Sequence, residues 1–407
     1  MQLIGPFTQI LPLSGLPMKG AIADEQLSII QDGGVIVANG LIVAVGDYLQ
    51  LLYQYPEAEL EKIEQPAVLL TGFIDCHTHI CYGGNRAKDY ALRIAGKSYL
   101  EIAKAGGGIW DSVTQTRLAD IDTLAAAIQE RAKRHLSEGV TTIEVKSGYG
   151  LSVEQELKQL TAIQIANKAV AADLIPTCLA AHILPKDFQG DAKSYLAMIV
   201  KELLPQLHQQ KLANRIDIFI EESAYSNEDA IPYLHAAKAM GFDITVHADQ
   251  FTTSGSAVAV SVGAVSADHL EASTEKEIQL LANSDTVAVV LPGASLGLGM
   301  QYAPARKLLD GGASVAIASD WNPGSAPMGD LLTQAAIIGA AEKLSTAETF
   351  AALTFRAAKA LNLHDRGTIA PQQLADLQAF PCADYREILY YQGKLKAAVV
   401  WKKGRRL

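Results

Sequence analysis

Short apolar runs recur along the chain at 67–75, 140–146, 173–182, 215–222, 243–249, 264–270, 286–293 and 314–320. Each is nearly continuous rather than alternating, the pattern of a strand buried on both faces of a parallel sheet. Stretches with helical spacing separate most of them. Asp120 to Glu138 puts Leu124, Ala127, Ile128, Ala132, His135 and Leu136 on one face and stops at Gly139. Ser152 to Ala166 opens with Ser152 and Gln155 at capping-box spacing. Eight such strand–helix units over roughly 280 residues predict a (β/α)8 barrel. The rival arrangement, a doubly wound open sheet, lacks a G-x-G-x-x-G after its first strand.

The two ends of the chain read differently. Residues 35–46 hold two apolar runs around Asn39-Gly40, a pair that tolerates positive φ at both centres of a two-residue hairpin. Residues 375–380 and 395–401 also read as strands, ahead of a basic K-K-G-R-R tail. The expected architecture is α/β: a TIM-like (β/α)8 barrel over 66–365, with a small β-sandwich domain built from both chain termini, 1–65 and 366–407.

Composition narrows the function. Of 407 residues, 49% are apolar and 19% charged, the balance of a globular protein with a large core. The net charge of −10 argues against binding to nucleic acid or to an anionic membrane, which both need a basic face. No stretch reaches ~18 uninterrupted apolar residues. Pro6, Pro12 and Pro17, with no basic residue before Lys19, do not make a secretory signal. Cys76, Cys81, Cys178 and Cys382 form no C-x-x-C pair and are too sparse for a disulfide scaffold. The expectation is a cytoplasmic protein without nucleic-acid or membrane partners.

Polar residues gather where the strands end, which is the mouth at which such barrels do chemistry. The runs deliver Asp75, His77, His79, Lys146, His182, Glu221, His247, His269 and Asp320 there, including five of the nine histidines. With a side-chain period of two, Asp75, His77 and His79 are expected on one side, with Cys76 facing away as packing. Two imidazoles on one side can bite a single ion, and carboxylate suits the same ion. A lone strand-end histidine more often just bonds backbone. The joint placement of His77, His79, His247, His269 and Asp320 on one rim is what points to a metal.

In their order along the chain these residues resemble the metal-dependent amidohydrolase superfamily. Finer segments resemble the imidazolonepropionase family of histidine degradation: C-Y-G-G-N-R (81–86), S-Y-L-E-I (98–102), E-V-K-S-G-Y-G-L (144–151), A-A-H-I-L-P (180–185), V-H-A-D-Q (246–250), V-S-A-D-H-L (265–270) and S-D-W-N-P-G-S-A-P (319–327). The resemblance implies that His77, His79, His247 and Asp320 hold one divalent ion, zinc or iron. It implies substrate contacts by Arg86, Tyr149, His182, Asn322, Gly324 and Ser325, with Tyr99 a further candidate. It places catalysis on Asp320 and His269, and implies a homodimer. Lys146 is not expected to bridge two metals, because it lies in the second run and the fourth has no lysine.

One position departs from the family pattern. Many members carry a glutamate three residues after the fifth-strand histidine, and here that residue is Gln250. An amide can orient a substrate but cannot take a proton at neutral pH. The general base is then Asp320, His269 or Asp249, the last expected to face away from Gln250.

The implied chemistry is hydrolysis of the cyclic amide of 4-imidazolone-5-propanoate to N-formimidoyl-L-glutamate. A bound divalent ion brings the pKa of its water to roughly neutral. Asp320 would carry the water's proton to the leaving nitrogen, and His269 would steady the oxyanion. Arg86 would grip the propionate with two parallel N–H bonds. Two alternatives stay open: another amidohydrolase, such as a nucleobase deaminase, and a non-catalytic metal- or ligand-binding homologue.

Overall fold

The chain begins with strands β1 (Gln2–Ile10), β2 (Ile30–Ala38), β3 (Leu41–Asp47), β4 (Glu59–Lys62) and β5 (Val68–Thr71). Eight more follow: β6 (Phe73–Asp75), β7 (Val140–Lys146), β8 (Asp173–Ala181), β9 (Arg215–Ile218), β10 (Asp243–Ala248), β11 (Ser266–His269), β12 (Val287–Val290) and β13 (Val315–Ile317). The last three are β14 (Leu377–Phe380), β15 (Val399–Lys402) and β16 (Arg405–Arg406). This computed structural model describes residues 1–64, 66–97, 101 and 106–407.

Strands β6 to β13 pair in chain order, all parallel. The ring closes just beyond the strand ends. Thr78 bridges Trp321, the His79 amide donates to the Trp321 carbonyl at 2.9 Å, and the Asp320 amide donates to the His77 carbonyl at 3.0 Å. Closure therefore brings the two histidines of the first barrel strand against the aspartate after the last.

All eight apolar runs contain a barrel strand, with one amendment. The run at 67–75 is divided, since Val68–Thr71 joins the terminal sheet and only Phe73–Asp75 enters the barrel. Gly72 sits at the division. A Cβ there would lie 2.3 Å from the Thr141 hydroxyl, so a side chain would push β6 away from β7. The helix Ile121–Ser137 is capped by Asp120, and Val153–Ala169 by Ser152, each accepting from the amide three residues on.

The barrel interior has two halves. Facing positions of β12, β13 and β6, with Ala318 and Cys76 just beyond the last two strands, supply Val287, Val289, Ala316, Ala318, Ile74 and Cys76, which pack on Ala357, Ala358 and Ala360 of the helix Phe355–Ala360. The other half is polar and buried: Glu144 and Lys146 on β7, Thr177 on β8, Arg215 and Asp217 on β9, Thr245 and His247 on β10, Asp268 on β11.

The termini build one separate sheet, in the order β16-β15-β14-β5-β1-β2-β3, with β4 also along β1. Asn39 (φ 53°) and Gly40 (φ 80°) form the expected hairpin turn between β2 and β3. β1 pairs with β4 at its start and β5 at its end, so the sheet curls over one core in which Phe7 meets Trp401 edge-on at 6.2 Å. The basic tail forms the β15–β16 hairpin, and Lys402 turns inward to Asp376 (2.5 Å) and Asp173 (2.8 Å). All four cysteines are buried free thiols. Among the described residues, no helix is long and apolar enough to cross a membrane.

Candidate metal centre and substrate cavity

Three imidazoles converge at the barrel mouth. Nε2 of His79 lies 3.2 Å from Nε2 of His77 and 3.2 Å from Nε2 of His247. Oδ1 of Asp320 lies 3.6 Å from the first of these rings and 3.4 Å from His79. The far nitrogens of two rings face carboxyl groups. Nδ1 of His77 is 2.7 Å from Asp268 Oδ2, and Nδ1 of His247 is 2.9 Å from Asp217 Oδ2. An ionised carboxylate accepts only, so beside ionised Asp268 and Asp217 Nδ1 carries the proton and Nε2 turns a lone pair inward. Lone pairs facing one another at this distance repel unless a cation sits between them. Four donors at ~2.0–2.1 Å from a tetrahedral ion are spaced about 3.3–3.4 Å apart. The donor set and its spacing therefore fit a divalent ion.

Burial pulls the His77 and His79 rings well below the ordinary histidine range, and brings His247 down to about 3 against the pull of Asp217. These rings are neutral at pH 7, the state that ligates. Asp320 has its other oxygen, Oδ2, held by the Asn322 side-chain amide at 2.9 Å, and burial pushes its carboxyl up to about 7. Both Asp320 (φ 48°) and His269 (φ 91°) hold left-handed backbone, a strain that accumulates at functional sites.

His269 faces the same space. Its Nδ1 is 3.6 Å from Glu271 Oε2, and Glu271 in turn accepts from Ser295 at 2.9 Å. Burial works against a charge on this ring, but Glu271, with Asp320 and Asp268, outweighs it and raises the pKa. His182 stacks on His79 at 5.4 Å between centroids, and its Nδ1 meets the Gly148 carbonyl at 3.0 Å. That bond leaves Nε2 as an acceptor, and burial brings the pKa down to about 4.

Above the imidazoles lies a cavity of about 370 Å³, lined by Arg86, Tyr149, His182, Gln250, Asn322, Gly324 and Ser325 among others. Tyr149 is carried by the loop 147–151. Glu156 fixes that loop by accepting from the amides of Gly148, Gly150 and Leu151 at 3.1, 2.8 and 2.7 Å. Burial pushes the Tyr149 phenol up, so it stays a donor. Arg86 gives Nε to Asp89 at 2.8 Å, and among the described residues its terminal nitrogens make no hydrogen bond. A Cβ at Gly324 would lie 2.3 Å from Arg86 Nη1, so glycine makes the room. Arg93 and Lys97 add two more cationic side chains to the lining.

Several expectations need amendment. Asp75 does not share a side with His77 and His79. It pairs with the buried His135 (3.1 Å) and accepts from the Ser319 amide (3.0 Å), because the alternation that puts Ile74 and Cys76 inward and Asp75 outward stops before His77. Cys76 packs in the apolar half of the interior, as its packing role required. Glu221 accepts from the Phe251 and Thr252 amides (2.9 and 3.2 Å) and is outside the cavity lining. Lys146 lies inside the barrel rather than on its rim. Asn322 lines the cavity and also buttresses Asp320, with its amide on Asp320 and Ser325 and its carbonyl on the Gly324 and Ser325 amides. Asp249 is committed to Ser256 and to Ser273 (2.8 Å), away from Gln250. Tyr99 lies outside the described residues.

Sequence reasoning missed Asp217, Asp268, Glu144 and Glu271. The signal for the first three was a charge at an inward position of an otherwise apolar run, which is costly unless it has a partner.

Comparison with known proteins gives a consistent picture. The amidohydrolase family profile matches residues 68–407. Imidazolonepropionase of Bdellovibrio bacteriovorus is 36% identical over 411 residues, covering 100% of this chain and 96% of its own length. That of Myxococcus xanthus is 40% identical over 336 residues, covering 82% and 80%. Among solved structures, Helicobacter pylori aminofutalosine deaminase superposes with a TM-score of 0.72 at 17% identity, over 100% of both chains. A zinc-bound adenosine deaminase from Xanthomonas campestris gives 0.69 at 20% identity, over 100% of this chain and 92% of its own. At such identities the structural matches speak to fold alone. The chain belongs to the amidohydrolase family of metal-dependent hydrolases, and its full-length relatives include imidazolonepropionases.

Proposed function

We propose that the protein hydrolyses the ring amide of 4-imidazolone-5-propanoate to N-formimidoyl-L-glutamate, with one divalent ion, zinc or iron, held by His77, His79, His247 and Asp320. The observation that carries this reading is the inward-facing set of three imidazole nitrogens and one carboxylate beneath a cation-lined cavity. When bound there, such an ion supplies Lewis acidity and a nucleophilic water at neutral pH.

The chain's own residues do the rest. Asp320 takes a proton from the attacking water as its oxygen adds to the ring carbonyl carbon. The bond from that carbon to the ring nitrogen then breaks, and Asp320 returns the proton to the leaving nitrogen. His269, with its charge supported by Glu271, donates to the developing oxyanion. The His182 Nε2 lone pair accepts from a ring N–H, and Tyr149 donates its hydroxyl. The terminal Arg86 nitrogens, which make no hydrogen bond among the described residues, take the propionate, with Arg93 adding to the attraction for an anion. Gln250 orients the ring, since an amide has no proton to exchange at pH 7. Asp249 is occupied by serines, so the proton falls to Asp320. By family expectation the enzyme is a cytoplasmic homodimer.

The test is to supply 4-imidazolone-5-propanoate to the metal-loaded protein and look for N-formimidoyl-L-glutamate. Ammonia released from a purine or pyrimidine instead would assign a deaminase. Inertness with metal bound would assign a binding homologue.

A further inference from the structure

Beneath the histidines, a single ammonium group pairs with the support of one, Asp217, and lies within 4 Å of the support of another, Asp268. Nζ of Lys146, fully buried, is 2.8 Å from Glu144 Oε1, 2.8 Å from Asp217 Oδ2 and 3.9 Å from Asp268 Oδ2. Those same aspartate oxygens face the rings: Asp217 Oδ2 meets His247 Nδ1 and Asp268 Oδ2 meets His77 Nδ1. Glu144 is fixed in turn by the Thr177 hydroxyl at 2.6 Å. The backbone joins in, because the Lys146 amide donates to the Thr78 carbonyl at 3.0 Å, between His77 and His79.

Stability alone does not call for this cluster. Taking a lysine and three acidic side chains out of water is costly, and apolar side chains of similar volume fill such space as well or better. The opposite half of the interior is filled that way, by Val287, Val289, Ala316 and Ala318, on strands whose inward positions support no histidine. We infer that Lys146 is a positioning residue: by anchoring Asp217 and Asp268 together, it fixes the tautomer and aim of His247 and His77, on two different strands, as one unit. This rests on the reading of both histidines as metal ligands.

The inference separates from simple electrostatics by its sign. Removing a positive charge close to a cation site strengthens cation binding if charge is all that matters. Removing an anchor weakens it. Wild type and Lys146→Met are titrated with zinc against a competing chelator, and cobalt-loaded samples are compared by ligand-field absorption, with thermal melting of the metal-free forms as the fold control. The expected result is a dissociation constant raised about 10–100-fold and an altered cobalt spectrum. Should Lys146→Met not fold, Lys146→Met with Glu144→Gln removes a balanced pair and carries the same expectation. Unchanged or tighter zinc binding with the wild-type cobalt spectrum overturns the inference. Wild type that binds no zinc overturns the ligand reading beneath it.

Discussion

Asp320 is asked to be two things at once. Its Oδ1 faces His77 and His79, while its Oδ2 is held by Asn322. In the proposed mechanism the first oxygen serves the cation, and the second, kept in a fixed direction, carries the proton. Asp320→Asn keeps the shape and removes the basicity, so kcat should fall by ~10²–10⁴ with an unchanged fold; steady-state kinetics beside a melting curve would show it. Arg86 makes a different prediction. With Nε tied to Asp89, its planar terminal nitrogens remain for a carboxylate, and Lys offers no such fork. Arg86→Lys should raise KM for the propionate substrate about tenfold and leave kcat nearly unchanged, as expected for lost uniform binding. An unchanged KM removes the role. Residues such as His247 and Asp320 were legible in the sequence because they are polar breaks at the ends of apolar runs. Asp217 and Asp268 were not, since their meaning depends on which strands become neighbours. Asp75 misled because the sequence does not announce where a three-residue strand stops.

At the scale of elements, the eight barrel strands were readable from their apolar runs, but the boundary between the two sheets was not. Val68–Thr71 and Phe73–Asp75 read as one run, and only the close approach of Gly72 to Thr141 divides them. The two sheets are then pinned at the start of β8. Asp173 lies 2.6 Å from Arg366 Nη1 and 2.8 Å from Lys402 Nζ, the latter on β15. Burial works to raise the Asp173 pKa, but Lys402 and Arg366 outweigh it and the net shift is downward. A lowered folded value means stability that is complete above the unfolded value of about 3.9 and is lost as the pH falls through the folded one. Asp173→Asn should therefore cost about 1–3 kcal/mol at neutral pH, read from denaturant midpoints. The gap between variant and wild type should narrow below a pH of about 4. A gap that stays constant into acid would contradict the clamp.

On the scale of the whole molecule, closing the barrel performs the decisive step. His77 and His79 follow the first barrel strand, His247 belongs to the fifth and Asp320 follows the eighth, and they meet only because β13 returns to β6. The polar half of the interior supports those side chains from below, and the cavity above presents Arg86, Arg93 and Lys97 although the chain carries a net charge of −10. That arrangement suits the proposed reading, an anionic substrate over a divalent ion. The most direct test is elemental analysis of the purified protein, coupled to turnover of 4-imidazolone-5-propanoate before chelation, after it, and after zinc or iron is restored. One ion per chain, with activity lost on its removal and regained on its return, is the predicted result. Undiminished turnover by metal-free protein would contradict the account.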